Sequence, residues 1–379
     1  MDFALGEEAL ALMDVARRFG EAHIAPNARA WETAGEIPKS LWKDMAELGL
    51  GGLTVPESFG GAGLSRLEAG LVVEALARSC PSVTAFLSIH NMCAGLIAQH
   101  GSDPLRARCL GPAIAMDMFL AYCLTEPTCG SDAAALRTRA ERTERGWRLT
   151  GNKAFISGGG YADAYIVMAR SGGSGPSGIS AFVVEDGMPG LSFGALEEKM
   201  GWRAQPTRAV HLDACALGAD ALLGEEGSGF SYAMAALDGG RLSIAACSLG
   251  GAQAALDQTL RYVQEREAFG RRLADFQALQ FRLAEMEIEM AAARVFLRQA
   301  AWTLDQGAPD ATKTCAMAKK FVTEVGSRVA DQCLQLHGGY GYLADYGLEK
   351  IVRDLRVHQI LEGTSEVMQV ITARAMLGQ

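Results

Sequence analysis

The stretch Arg353–Met368 reads RDLRVHQILEGTSEVM. Within it Glu362 follows an apolar pair, Ile360 and Leu361, and precedes Gly363, Thr364 and Ser365. Apolar neighbours desolvate a carboxylate and raise its pKa, and a turn beside it keeps backbone N–H donors close, which suits a general base. A glutamate before a glycine also reads as an ordinary helix end, so this stretch alone leaves both readings open. A second stretch lies far upstream, Tyr122–Asp132, YCLTEPTCGSD. Its hydroxyls and Gly130 can bring N–H and O–H donors close to a flat heteroaromatic ring and stabilise a reduced, anionic form of it. By composition it is equally a junction between two elements, with Thr125 or Ser131 as a helix cap.

The two stretches lie in different textures. Residues 1–118 read as a helical domain, with Ala9, Leu12, Val15 and Ala16 on one face and Trp42, Met45 and Leu48 on another. Breaks fall at GLGGLTVPESFGGAGLS (Gly49–Ser65) and at Cys80–Pro81. Residues 119–228 read as a β domain, where short β-rich runs such as YIVMAR and ISAFVV are separated by Gly/Ser/Pro loops. These strands do not alternate with helical segments, so no doubly wound sheet is expected. From 229 to 379 the helical period returns. Leu279, Leu283, Met286, Met290, Ala293 and Leu297 form one stripe; Val322, Val325, Val329, Cys333 and Leu336 form another, which Gly338–Gly339 terminates. Long helices of this kind pack as an antiparallel bundle. The expected fold class is α+β multidomain: an N-terminal helical domain, a middle β domain and a C-terminal four-helix bundle.

The chain has 379 residues, 49 % hydrophobic and 21 % charged, enough for a large buried core. A net charge of −9 argues against a general nucleic-acid surface but leaves room for an anionic ligand held by local arginines. No apolar run approaches a membrane span, so no stable membrane insertion is expected. The N-terminal residues carry early acids and show neither a signal-peptide nor a transit-peptide pattern, which reads as cytoplasmic, or as mitochondrial matrix for a processed eukaryotic form. Nine cysteines with no CxxC read as buried free thiols, and six histidines without HxxxH or HExxH spacing give no metal site.

Two formal motifs are set aside. Gly173–Gly178, GSGPSG, matches GxGxxG but contains a proline and leads into a strand rather than a helix, so it reads as a hairpin loop. Gly190–Gly194, GLSFG, matches a nucleophile elbow but no tight turn into a helix follows, so it reads as a strand.

Taken together, Glu362 in its segment and Tyr122–Asp132 in its own resemble the acyl-CoA dehydrogenase family, over essentially the whole chain. The resemblance implies FAD as cofactor. It is carried at Tyr122, Leu124–Pro127 and Gly130–Asp132, with a departure at Thr128–Cys129, where the family usually has small residues. It implies flavin contacts from Tyr122, Leu124, Thr125, Gly130 and Ser131, and from Phe155, Ile156 and Ser157 in AFISGG (Ala154–Gly159). Gln277, Gln335, Gly338, Gly339, Thr364, Ser365 and Glu366 resemble further flavin positions. Arg266 in REAFG resembles an arginine that meets the FAD of a neighbouring subunit; Ala268 stands where the family often has glutamine. Ser131, Asp238, Arg241, Gly363 and Arg374 resemble residues along the acyl-CoA path. For the arginines alone, a helix-surface charge or salt bridge is the competing reading.

The resemblance assigns Glu362 as the base that removes the α-proton while hydride leaves to flavin N5. The thioester oxygen would accept from the Glu362 N–H and a ribityl hydroxyl, and water expelled by the acyl chain would raise the Glu362 pKa further. Some family members carry the base instead on the earlier helix, just before the arginine resembling Arg241; here that position is Gly240, which supports Glu362. Runs SIHNMCA (Ser88–Ala94), PTRAV (Pro206–Val210), DGGR (Asp238–Arg241), HGGYGYL (His337–Leu343) and VHQILEG (Val357–Gly363) resemble the branch acting on isobutyryl-CoA in valine catabolism. A homotetramer and an electron-transferring flavoprotein as acceptor are likewise implied. A straight short-chain or 2-methylbutyryl-CoA dehydrogenase, a flavin oxidase or monooxygenase, and a non-catalytic flavin-binding module remain open.

Overall fold

The computed structural model describes residues 4–378. Seven helices come first: α1 Glu7–Phe19, α2 Ala28–Ala34, α3 Lys39–Glu47, α4 Arg66–Ala77, α5 Pro81–His100, α6 Asp103–Leu105 and α7 Gly111–Ile114. Local chemistry sets their starts. Ser65 and Glu68 form a reciprocal capping box at α4, and Pro81 occupies the first turn of α5, where its missing N–H costs nothing. The apolar faces differ from the expected ones by one residue each. Ala16 and Phe19 are buried in α1 while Val15 is exposed, and Trp42 and Met45 are buried in α3 while Leu48, at the end of that helix, is 42 % exposed. Helix α5 is long and apolar enough, by length and composition, to cross a membrane, contrary to the sequence reading. In its most apolar 18-residue window, 89 % of the residues are buried inside the protein, because neighbouring elements pack against it.

One sheet follows: β1 Leu120–Cys123, β2 Arg139–Thr143, β3 Gly146–Ser157, β4 Ala164–Arg170, β5 Ile179–Glu185, β6 Leu191–Phe193, β7 Thr207–Gly218 and β8 Leu222–Leu223. The order is β6-β7-β3-β2-β4-β5-β8, with β1 beside β4. Pairing is antiparallel except at β1–β4 and β2–β4. The GSGPSG segment joins the antiparallel pair β4–β5, and GLSFG contains β6, as expected. Strand β3 bulges between Lys153 and Ile156, and Phe155 in the bulge takes φ +57°.

The remaining elements are α8 Gly229–Glu265, the hairpin β9 Glu267–Ala268 with β10 Arg271–Arg272, α9 Gln277–Asp305, α10 Ala311–Leu336, α11 Leu348–Arg356 and α12 Ser365–Leu377. The stripes read from sequence face inward: Met286, Met290, Ala293 and Leu297 on α9, and Val322, Val325, Val329, Cys333 and Leu336 on α10, are buried. Truncating one such large side chain to alanine costs roughly 2–5 kcal/mol. Helices α4 and α5 pack directly on α8, and one buried apolar cluster runs from Ala16 to Leu355. The first and last helical regions, separated in sequence by the sheet, therefore share a core. All nine cysteines are buried free thiols.

Candidate active site

The segment carrying Glu362 is held from both ends. Asp354, fully buried in α11, accepts the Trp202 N–H at 2.6 Å and pairs with Lys350. Gly201 permits that approach, since a side chain there would run into the Arg353 carbonyl. One turn later His358 is buried between Trp202 and Ser248. The indole Nε1–H donates to His358 Nε2 at 3.2 Å, which leaves the ring proton on Nδ1 to donate to Ser248 Oγ at 2.6 Å. Burial, reinforced by Lys319, pushes the His358 pKa down to about 3, so the ring stays neutral. At the other end Thr364 caps α12 by accepting the Val367 N–H.

Between these anchors the backbone turns through two left-handed residues, Glu362 at φ +57° and Gly363 at φ +91°. For a non-glycine this costs roughly 1–2 kcal/mol. Two cations grip the turn: Lys319 Nζ donates to the Gly363 carbonyl at 2.6 Å, and Arg241 Nε lies 3.4 Å from the Glu362 carbonyl. The Glu362 and Gly363 N–H groups find no acceptor among the described residues. The Glu362 carboxylate is turned inward, and its Oε2 is buried without a hydrogen-bond partner. Desolvation raises its pKa from 4.5 to about 7 against the opposing pull of Arg241 and Lys319. Space for it comes from Gly240: a Cβ there would stand 2.5 Å from Oε2. A side chain at position 240 and this conformation of Glu362 exclude one another.

Arg241 and Asp238 are buried in α8, at 4 % and 6 % exposure, and pair at 2.6 Å; Thr312 Oγ1 donates to the other Asp238 oxygen. The pair is thus interior, not a helix-surface salt bridge. Gly239 and Gly240 line a small, partly open cavity of about 20 Å³ with Ser88, Asn91, Met92 and Arg66. The Arg66 guanidinium lies against Gly239, and burial lowers its pKa against the nearby Asp305 carboxylate.

The two upstream segments meet each other, and Tyr122 lies near this turn. Thr125 accepts the Ala154 N–H at 2.9 Å, and the fully buried Lys153 donates to the Leu124 carbonyl at 3.1 Å and to Glu126 at 2.8 Å. Glu126 also accepts the Arg137 and Thr138 N–H groups. Tyr122 sits close enough to Glu362 for that charge to raise its phenol pKa, after burial, and its hydroxyl is buried without a partner. Ile156 is buried and Ser157 half-buried, whereas Phe155 is 70 % exposed in the bulge. Gly130 and Ser131 are exposed; Ser131 caps no helix, since only the short turn Ala133–Ala135 follows, starting from Asp132. At the start of α12 Ser365 has a buried, unpartnered Oγ, while Glu366 is exposed.

Other candidates lie elsewhere. Arg266, Gln335, Gly338 and Gly339 line a separate open groove of about 580 Å³ with Tyr262, His337 and Tyr340, and the Arg266 guanidinium rests 5.4 Å over the Tyr340 ring. Gln277 is exposed at the first turn of α9, and Arg374 is exposed in the last turn of α12. Sequence reasoning missed Lys319, Lys153 with Glu126, and the Trp202–His358–Ser248 chain. Lys319 had a signal: it falls on the apolar stripe of α10, four residues after Cys315 and three before Val322.

Family models match three consecutive parts of the chain: the acyl-CoA dehydrogenase N-terminal domain over residues 6–117, its middle domain over 121–215 and its C-terminal domain over 227–377. Mitochondrial isobutyryl-CoA dehydrogenase of Bos taurus is 48 % identical over 98 % of this chain and 90 % of its own. The structure of butyryl-CoA dehydrogenase from Megasphaera elsdenii matches with a TM-score of 0.96 at 37 % identity, over 100 % of both chains. A structure from work on an electron transferring flavoprotein of Acidaminococcus fermentans matches at TM-score 0.97 and 39 % identity, again over 100 % of both. Other solved structures of this fold carry FAD.

Proposed function

The chain belongs to the acyl-CoA dehydrogenase family, and from that premise we propose that it removes the α- and β-hydrogens of a short branched acyl-CoA, isobutyryl-CoA to methacrylyl-CoA, in valine catabolism. It is an FAD-dependent oxidoreductase acting on acyl-CoA. The residues fit that cofactor. Two buried hydroxyls without partners, Tyr122 and Ser365, lie near the turn that carries Glu362, and an exposed aromatic, Phe155, stands in a left-handed bulge of β3. Tyr122, Leu124, Thr125, Gly130, Ser131, Phe155–Ser157 and Thr364–Glu366 would hold the flavin. When bound, FAD supplies the acceptor for the β-hydride.

The observation that carries the proposal is the buried, unpartnered Glu362 Oε2 with its pKa near neutrality. A carboxylate raised to about 7 is a stronger base than an ordinary glutamate. The open Glu362 N–H can stabilise negative charge developing on the thioester oxygen as the α-proton leaves. Asp238 and Arg241 would order the chain entering beside the base, with Ser131, Gly363 and Arg374 along its path. Arg66 lines the small cavity beside Gly240, on the side of the turn that faces α4 and α5.

Two further readings rest on the family and on surface chemistry. Reoxidation by an electron-transferring flavoprotein suits a site that relies on an external acceptor. A homotetramer is supported by α9, where Phe281, Ile288, Val295 and Trp302 stand exposed at successive seven-residue intervals beside an apolar groove formed by Phe296, Met317, Phe321 and Met376. The remote Arg266 groove would then meet a neighbour's cofactor.

Anaerobic addition of isobutyryl-CoA and, separately, butyryl-CoA to the holoenzyme tests the substrate. Faster bleaching of the flavin by isobutyryl-CoA is expected. Faster bleaching by butyryl-CoA would move the substrate to the straight-chain class, and no bleaching by either would remove the dehydrogenase reading.

A further inference from the structure

We propose that Lys319 is a positioning residue for the base: its ammonium clamps the Gly363 carbonyl so that the left-handed turn points the Glu362 carboxylate inward, and its charge stands beside that carboxylate. The inference rests on the dehydrogenase reading, in which Glu362 takes the α-proton. Lys319 is fully buried, on the apolar stripe of α10, and its Nζ–H···O contact to Gly363 is 2.6 Å. A buried ammonium is costly unless something compensates it. Here the compensation is the carbonyl and the neighbouring carboxylates, so the lysine and the strained turn stabilise one another. The lysine also makes no ion pair of its own among the described residues, although Lys320 beside it does, with Glu324.

The charges around the turn come from every element packed on it. Arg241 from α8 and Lys319 from α10 favour the ionised form of Glu362. Tyr122 from β1 and Cys93 from α5 both face the carboxylate as neutral, buried groups whose own ionisation it opposes. Glu324, Glu366 and Glu362 favour the charged form of Lys319, while Arg241 and burial oppose it, and the result is a pKa of about 8. His358, kept neutral, adds no charge. Arg241 is already committed to Asp238, so Lys319 is the cation without a carboxylate partner at short range. Without it, desolvation of Glu362 has one less opposing charge, and the carboxyl must titrate higher.

The test is the pH profile of flavin reduction by isobutyryl-CoA in holoenzyme carrying Lys319→Met, Lys319→Gln or no change, with bound FAD measured by absorbance and Glu362→Gln as reference. Both variants are expected to keep FAD. The acid limb of the reduction rate should move upward by about one pH unit in both, the scale expected from losing one nearby opposite charge. Lys319→Gln retains an N–H donor for Gly363 and should fold even where methionine does not, with a plateau rate closer to wild type. A limb that stays in place while the rate falls equally at all pH values would reduce Lys319 to a structural residue and overturn the inference. Failure of the unchanged enzyme to be reduced by any acyl-CoA would instead overturn the dehydrogenase reading, and this inference with it.

Discussion

Replacing Glu362 with glutamine removes a charge that the fold does not solvate, and this has a consequence separate from catalysis. The carboxyl titrates at 4.5 when unfolded and at about 7 in place. A raised carboxyl favours the folded state only while it is protonated, so its benefit is present below pH 4.5 and is lost as pH rises through 7. With roughly 1.4 kcal/mol per pH unit, the cost of ionising it in the fold is close to zero at pH 4, about 1 kcal/mol at pH 5.5 and about 3 kcal/mol above pH 8. Glutamine has no such cost. The Glu362→Gln holoenzyme should therefore gain about 2 kcal/mol over wild type between pH 5.5 and pH 8.5 while losing about 10²–10⁴-fold in flavin reduction. Urea unfolding followed by tryptophan fluorescence, with FAD in excess at both pH values, measures the difference. The buried histidines are common to both proteins and cancel. A variant-minus-wild-type difference that is the same at both pH values would refute the claim that Glu362 is a desolvated carboxyl.

Three other perturbations follow from named contacts. Gly240→Ala places a Cβ 2.5 Å from Glu362 Oε2, so flavin reduction should fall at least tenfold, roughly the effect of a 1.4 kcal/mol displacement, with FAD retained in the absorption spectrum. His358 is depressed from 6.5 to about 3, so its contribution to stability is complete above pH 6.5 and is lost as pH falls toward 3; an acid titration of unfolding should lose several kcal/mol from this residue, and His358→Asn should flatten that slope. Arg66→Ala opens the cavity beside Gly240 and should raise the relative rate of flavin reduction by hexanoyl-CoA over isobutyryl-CoA, while Arg66→Met, which keeps the filled volume, should not; steady-state rates on the two thioesters decide it.

Several parts of the fold were legible because they depend on short-range pattern. The stripe Leu279–Leu297 and the stripe Val322–Leu336 became the inward faces of α9 and α10, since a period of three and four residues requires one apolar side. The loops GSGPSG and GLSFG resolved as a hairpin and a strand because proline and the following residues forbid the helix that each motif would need. Where the pattern ended, so did the reading: Leu48 and Val15 sit at the edges of their faces, where neither spacing nor hydrophobicity decides exposure. Helix α5 has the composition of a membrane span, and only its covering neighbours show that it is a core helix.

The sequence by itself determined the succession of helices, sheet and helices, the family, and the presence of a glutamate at 362 with a glycine at 240. The tertiary structure decided that these two positions touch, that Phe155 and Glu362 adopt left-handed backbone, and that Lys319 and Arg241 converge on one turn. Arg241 and Glu362 are 121 positions apart, and no local rule relates them. The reason is that secondary structure follows from neighbours along the chain, whereas the ionisation of a buried carboxylate depends on which distant charges the packed core brings within a few ångströms and on how much water it removes.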